Sequence, residues 1–348
     1  MKQTIRGILL VLVTLTSIGF CPSPSARADS GLGWRPIAFD RDRPTVPEKT
    51  GTVRSADGTR IAVQEYGQKK GTAPTLVLVH GYPNSHAVWY PILPKLVKRY
   101  HVITYDMRGV GGSDAPSAVA AYSLQRLDQD FEAVYRGYAA GEKVHYFGHD
   151  FGGVIGWDLL VNKRTRGMIA SFTTFGAPSF DMFGTWFRKH LTLDDQPYGI
   201  LDVANQMARI PEFPGFVAQP AVAASWITLP GGRSPFELIV ARLNRTSNEP
   251  RESNYPAANG YHAGLAYTAN FQQRAMHPAY TKLPAGLPPI QSLDARYDRF
   301  FSNEFMGSMD FFGAPITHHT YNAGHWGIAT TASTEIAAYM TSWVDSHS

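Results

Sequence analysis

A chain of 348 residues, 44% hydrophobic and 17% charged, is long enough to bury a large core and too mixed in composition to be disordered or fibrous. Its formal charge of +4 comes without any run of Lys and Arg, which argues against nucleic acid as a partner. A single cysteine, Cys21, excludes an internal disulfide framework and thiolate metal sites.

Lys2 and Arg6 precede an apolar run, Ile8 to Phe20, which is followed by Pro22, Pro24 and the triplet Ala26-Arg27-Ala28. That order reads as a secretory signal peptide, residues 1–28, cleaved after Ala28. The run is shorter than the roughly 20 residues that cross a bilayer, so no membrane span is expected in the mature chain. Export to the periplasm, cell envelope or exterior is expected instead. Phe20 stands before Cys21 where lipid attachment wants a small residue. Of the 32 basic residues, Lys2, Arg6 and Arg27 leave with this segment, so 29 then face 28 acidic ones.

Residues 31–50 hold Pro36, Pro44 and Pro47 and read as an extended lead-in. Thr75 to Val79 is an unbroken apolar run stopped by His80-Gly81, the pattern of a strand buried on both faces. His101 to Tyr105, Lys143 to Phe147 and Met168 to Phe175 read as further strands, with helices over Ala87 to Val97 and Tyr122 to Tyr138 between them. From Ser179 to Leu283 no strand is evident, and Phe180, Phe183, Trp186, Phe187, Phe213, Phe216 and Trp226 crowd in, as in a helical cap. Strands resume at Ile290 to Leu293 and Ile316 to Tyr321. Ile336, Tyr339, Met340, Trp343 and Val344 then mark an amphipathic closing helix. The expectation is an α/β fold with a mostly parallel sheet flanked by helices. Its core spans 29–178 and 284–348, and the inserted cap spans 179–283.

The most informative stretch runs from Val144 through Gly148-His149-Asp150-Phe151-Gly152-Gly153. Small residues two before and two after Asp150 suit a sharp strand-to-helix turn, whose apex projects into the crevice at the carboxyl ends of the strands. Serine is the usual apex residue; here it is aspartate, which otherwise serves as a helix cap. A carboxylate is ionised at neutral pH and needs no base to become a nucleophile. It suits displacement at a saturated carbon, which leaves an alkyl ester whose hydrolysis needs a histidine to activate water. The loop His80-Gly81-Tyr82-Pro83 follows the first buried strand, and backbone N–H groups of Tyr82 and Phe151 are the expected oxyanion hole. His80 is read as a structural histidine. His325, in Asn322-Ala323-Gly324-His325-Trp326 after the last strand, is the candidate general base. Asp298 is the candidate orienting acid and Asp294 the reserve.

These stretches, with Asp106-Met107-Arg108-Gly109-Val110-Gly111-Gly112-Ser113-Asp114, resemble α/β-hydrolase-fold epoxide hydrolases. The likeness is strong over 51–180, weak through the cap and moderate after 284. It implies a small apolar epoxide as substrate, opened by Asp150 to a vicinal diol, with no metal and no organic cofactor. Leu265-Ala266-Tyr267-Thr268-Ala269-Asn270 looks like that family's later cap motif, which makes Tyr267 the implied proton donor, with Thr268 in place of the usual arginine. Lining up Ile210-Pro211 with the earlier cap motif puts Ala204 where a second tyrosine is usual, with Gln206 nearby; Tyr198 and His262 are possible stand-ins. Dehalogenases share the fold and the aspartate, but usually carry Trp after the nucleophile and Asn after His-Gly, where this chain has Phe151 and Tyr82. A catalytically silent binding protein is the remaining alternative, disfavoured because every triad member is present.

Overall fold

The centre of the sheet is made from short strands buried on both faces. A computed structural model describes residues 47, 49–191, 199–210, 219–225, 234–235 and 257–348. The expected signal segment, most of the lead-in, and Tyr198, Phe213, Phe216 and Trp226 lie outside the described residues. Strands β3 (Thr75–Val79), β4 (His101–Tyr105) and β5 (Val144–His149) are buried at every position, so helices must cover both faces. With β1 (Lys49–Arg54), β2 (Arg60–Gly67), β6 (Ile169–Phe175), β7 (Ile290–Ala295) and β8 (Ile316–Tyr321) they form an 8-stranded sheet ordered β1-β2-β4-β3-β5-β6-β7-β8. The pairings from β4 and β3 through to β8 are parallel; β2 runs antiparallel to both β1 and β4.

β1 and β2 depart from the sequence reading, which placed Lys49 and Thr50 in a lead-in and drew no strands at the start of the core. They form a hairpin whose outer strand is half exposed, so its apolar signal is diluted. The helix expected over Ala87 to Val97 is instead split. A 3-10 turn at His86–Trp89 and a short helix at Leu93–Leu96 flank Pro91, and Pro94 sits in the first turn of the second piece. Each proline removes an amide that a continuous helix would need. Helix α1 (Leu124–Tyr138) begins two residues later than the pattern suggested, because Ser123 takes an extended conformation as its cap.

The order reverses at β3, with β4 on one side and β5 on the other. In such sheets ligands bind beyond the carboxyl ends at the reversal. There Val79 pairs with Gly148, which sets the His80–Pro83 loop beside the turn from β5 into helix α2 (Phe151–Val161). Between β6 and β7 the described chain is helical: α3 (Phe180–His190), α4 (Gly199–Arg209), α5 (Gln219–Ser225) and α6 (Ala257–Met276). Helix α7 (Ser333–Ser346) closes the chain, burying Ile336, Met340, Trp343 and Val344. Among the described residues no helix is long and apolar enough to cross a membrane.

The helices over the sheet are fixed to it by polar anchors. Arg274 of α6 grips Asp181 of α3 through Nε and Nη2 at 2.6–3.0 Å and reaches Asp158 of α2 at 2.5 Å. Asn270, one turn after Tyr267, accepts from Leu124 N–H at the start of α1 and donates to the Tyr122 carbonyl, both at 2.8 Å. Replacing Arg274 by Met leaves two mostly buried carboxylates facing each other without a cation. We expect a loss of about 2–4 kcal/mol in unfolding free energy by urea titration; an unchanged midpoint would show that the anchor is not needed.

Candidate active site

Asp150 sits at φ 49°, ψ −120°, the one non-glycine residue with positive φ among those described. For an L residue that conformation is strained, and it holds only where the surroundings leave no alternative. A Cβ on Gly148 would collide with the Gly152 carbonyl, one on Gly152 with the backbone of Val79 and His80, and one on Gly81 with the Asp150 side chain. The glycines therefore let three backbone segments close around the apex. The alternative role of a helix cap is not used: the Asp150 side chain makes no capping bond, and its carbonyl accepts the amides of Gly153 and Val154 instead.

Asp150 Oδ1 accepts the Tyr82 amide at 2.7 Å. Phe151, the other expected amide donor, starts α2 beside the carboxylate and packs its ring edge-on against Tyr267, centroids 4.9 Å apart. His80 has a structural role in this loop. Its Nδ1–H donates to the Gly81 carbonyl and its Nε2 accepts the Met107 amide, both at 3.0 Å, and this fixes a neutral tautomer; burial keeps its pKa down.

His325 lies between two carboxylates. Nδ1 is 2.8 Å from Asp298 Oδ2 and Nε2 is 3.3 Å from Asp150 Oδ2. Asp294 is committed elsewhere, bonded to Ser292 at 2.6 Å and to His318 at 2.8 Å. The second oxygen of Asp298 accepts the amides of Phe300 and Phe301 at 2.7 and 3.1 Å, so its carboxylate is held in one orientation. Above the carboxylate, the Tyr267 hydroxyl is 3.3 Å from Asp150 Oδ1 and 3.5 Å from Oδ2. The pocket around these groups is walled by Phe180, Phe183, Phe271, Phe300 and Ile210, and no Lys or Arg lines it among the described residues. Nor do the described residues contain a cluster of His, Asp and Glu placed to hold a metal ion.

Ala204, at the place of a second cap tyrosine, is exposed on α4, and Gln206 nearby is turned toward the loop after β7; of the two possible stand-ins, His262 packs over Gly109 and Tyr261, and Tyr198 lies outside the described residues. Three residues outside the sequence-predicted set also shape the site. His149 donates from Nε2 to the His325 carbonyl at 2.8 Å, with burial and the His325 charge taking its pKa down to about 4. Asn84 accepts Trp326 Nε1–H at 2.9 Å and so joins the His80 loop to the His325 loop. Gly176, at φ 56°, leaves room for the Asp298–His325 pair. Only His149 carries a local signal, its place beside the apex; the others act across long separations.

The family described as the alpha/beta hydrolase fold matches residues 74–331. The protein named probable oxidoreductase EphD of Mycobacterium tuberculosis is 32% identical over 232 residues, covering 66% of this chain and 38% of that protein. Epoxide hydrolase 3 of Xenopus tropicalis is 33% identical over 141 residues, 40% of this chain and 37% of that protein. The chain thus spans under two fifths of the length of these relatives. A crystal structure of a Bacillus megaterium epoxide hydrolase with an inhibitor superposes with a TM-score of 0.65 at 17% identity, covering 85% of this chain and 100% of that one, a likeness of fold.

Charge in the site is balanced by pairing. Burial disfavours the Asp150 carboxylate, yet its bond to His325, the charge on that ring and the Tyr82 amide outweigh that and hold its pKa below the usual range. Burial also opposes a charged His325, but the Asp298 charge and the bonds to Asp150 and Asp298 push its pKa from 6.5 up to about 10. A folded pKa above the unfolded one adds stability that is complete below pH 6.5 and lost as pH rises through about 10. The unfolding free energy should therefore fall across that window, and His325→Gln should flatten the fall. A slope identical in the variant would assign the effect to other groups.

Proposed function

The chain belongs to the α/β-hydrolase family, and the matched segment contains the elbow, the His80–Pro83 loop and His325; from that premise we propose that it opens a small apolar epoxide to a vicinal diol through an ester on Asp150. One observation carries the reading: an ionised carboxylate at the apex lies within 3.3 Å of both an imidazole and a phenol. A hydroxyl there would need a base to attack; a carboxylate does not.

In the first step Oδ2, the oxygen without an amide donor, attacks an oxirane carbon from behind. The carbon–oxygen bond breaks and the departing oxygen takes its proton from Tyr267. Substrate occupies the space between phenol and carboxylate, so α6 yields as it enters. In the second step His325 removes a proton from water, and the resulting hydroxide adds to the ester carbonyl carbon. The Oδ1 oxyanion meets the Tyr82 amide. On collapse the alkoxide leaves with the proton held by His325, and the carboxylic acid left on Asp150 passes its own proton to His325, which restores the resting ion pair.

The pairing also orders the steps. Before alkylation two anions keep His325 protonated. Esterification removes the charge on Asp150, and with it part of the cause of the raised pKa, so the ring gives its proton to the Tyr267 phenolate left by the first step and becomes available as a base while the ester exists. A leaving oxygen needs a proton, which Tyr267 supplies. A leaving halide needs N–H donors, and here Phe151 offers none from its side chain while Trp326 Nε1–H is bonded to Asn84. The walls without Lys or Arg suit an uncharged substrate rather than a haloacid.

With a panel of styrene-like and aliphatic epoxides, Asp150→Ala is expected to lower kcat/KM by about 10⁴-fold or more. Tyr267→Phe is expected to lower it by about 10²–10⁴-fold, the range for a lost general acid. Turnover retained by Asp150→Ala ends the ester route. Halide release from haloalkanes, with no diol from epoxides, would favour dehalogenation.

A further inference from the structure

The part of the cap with Ala204 at the place of a second tyrosine reaches the loop that carries Asp298. Helix α4 places Ala204 at the surface and turns Gln206 inward, where it is 1% exposed. Gln206 Nε2 donates to the Phe300 carbonyl, and its Oε1 accepts the Ser302 amide at 3.2 Å. Three residues on, Arg209 Nη1 donates to the Asp298 carbonyl at 2.9 Å. All three bonds fall on the 298–302 loop. That loop carries Asp298, and its own amides at Phe300 and Phe301 fix the Asp298 carboxylate from the other side. The Phe300 ring meets the His325 ring edge-on, centroids 4.7 Å apart. Gln206 therefore holds the peptide groups that aim the acid at His325, and it does so from the cap.

We infer that Gln206, assisted by Arg209, is a positioning residue for the hydrolytic half of the reaction, acting through Asp298 and His325 and not on the substrate. The inference rests on the two-step reading above. Removing the amide leaves the Phe300 carbonyl and the Ser302 N–H without their partner in a buried loop, and the loop shifts to recover hydrogen bonds. A shift of about 1 Å at a catalytic group is enough to cost a large part of its rate contribution. Alkylation uses Asp150 and Tyr267 and has no need of a base, so the effect falls on one step. Loss of general stability would not choose between them.

The test uses the full chain and styrene oxide, rapidly mixed and quenched. The ester on the Asp150 peptide is followed by mass and the diol by chromatography. For Gln206→Ala the expected result is alkylation within about twofold of wild type and ester hydrolysis slower by about tenfold or more, so that the ester accumulates. The rising limb of the hydrolysis pH profile should also move to lower pH, since a less well placed Asp298 supports the imidazolium less. Gln206→Glu keeps the acceptor for Ser302 and loses the donor to Phe300 when ionised. It should fall between wild type and Gln206→Ala, and it provides the reading should the alanine variant not fold. Equal slowing of both steps, or an unmoved pH limb with hydrolysis intact, overturns the positioning role. Absence of any ester in the wild type would instead overturn the functional reading beneath it.

Discussion

The site depends on one backbone constraint, the left-handed turn at Asp150. A residue with a side chain occupies that conformation at a cost, and the turn closes only because Gly148, Gly152 and Gly81 bring no Cβ into the same space. The geometry does two things at once. It lifts the carboxylate off the end of β5 into the crevice, and it leaves the side chain out of the helix cap, the Asp150 backbone carbonyl taking the Gly153 and Val154 amides. The parallel register of β3 and β5 then brings the Tyr82 amide to one oxygen and leaves the other to His325.

Around that turn the protein has placed a cation between two anions in an apolar enclosure. In low dielectric an unpaired charge is costly, so the three groups are held together by the environment as much as by their bonds. The proposed chemistry draws on this arrangement, since forming the ester deletes one anion and changes what the imidazole can do. Anchors at a distance keep the arrangement from relaxing. Asn84 and Trp326 tie the His80 and His325 loops, His149 holds the His325 backbone, and Arg274 and Asn270 seat the helix that carries Tyr267.

What could be read from the sequence was what is local. The parallel strands were visible because burial on both faces makes an unbroken apolar run, as in Thr75–Val79. The elbow was visible because its glycines lie within five residues of one another, and His325 because it follows a strand end. The β1–β2 hairpin is not legible because its outer strand has only exposed and half-buried positions and so carries no apolar run. The choice between Asp294 and Asp298 stayed open in the sequence, since both follow β7. The two differ in their three-dimensional partners, His318 for Asp294 and His325 for Asp298. Gln206 was noticed for the wrong reason, as a neighbour of a missing tyrosine. Its bonds reach residues more than ninety positions away, which no local pattern records.

The account stands or falls on whether a carboxylate oxygen of the protein is transferred to the product. A single turnover of excess enzyme with an epoxide in oxygen-18 water measures this. The diol should emerge unlabelled, with one heavy oxygen left in the Asp150 side chain by mass analysis of its peptide. Label found directly in the diol, with Asp150 unlabelled, would mean that water attacks the epoxide itself and would contradict the account.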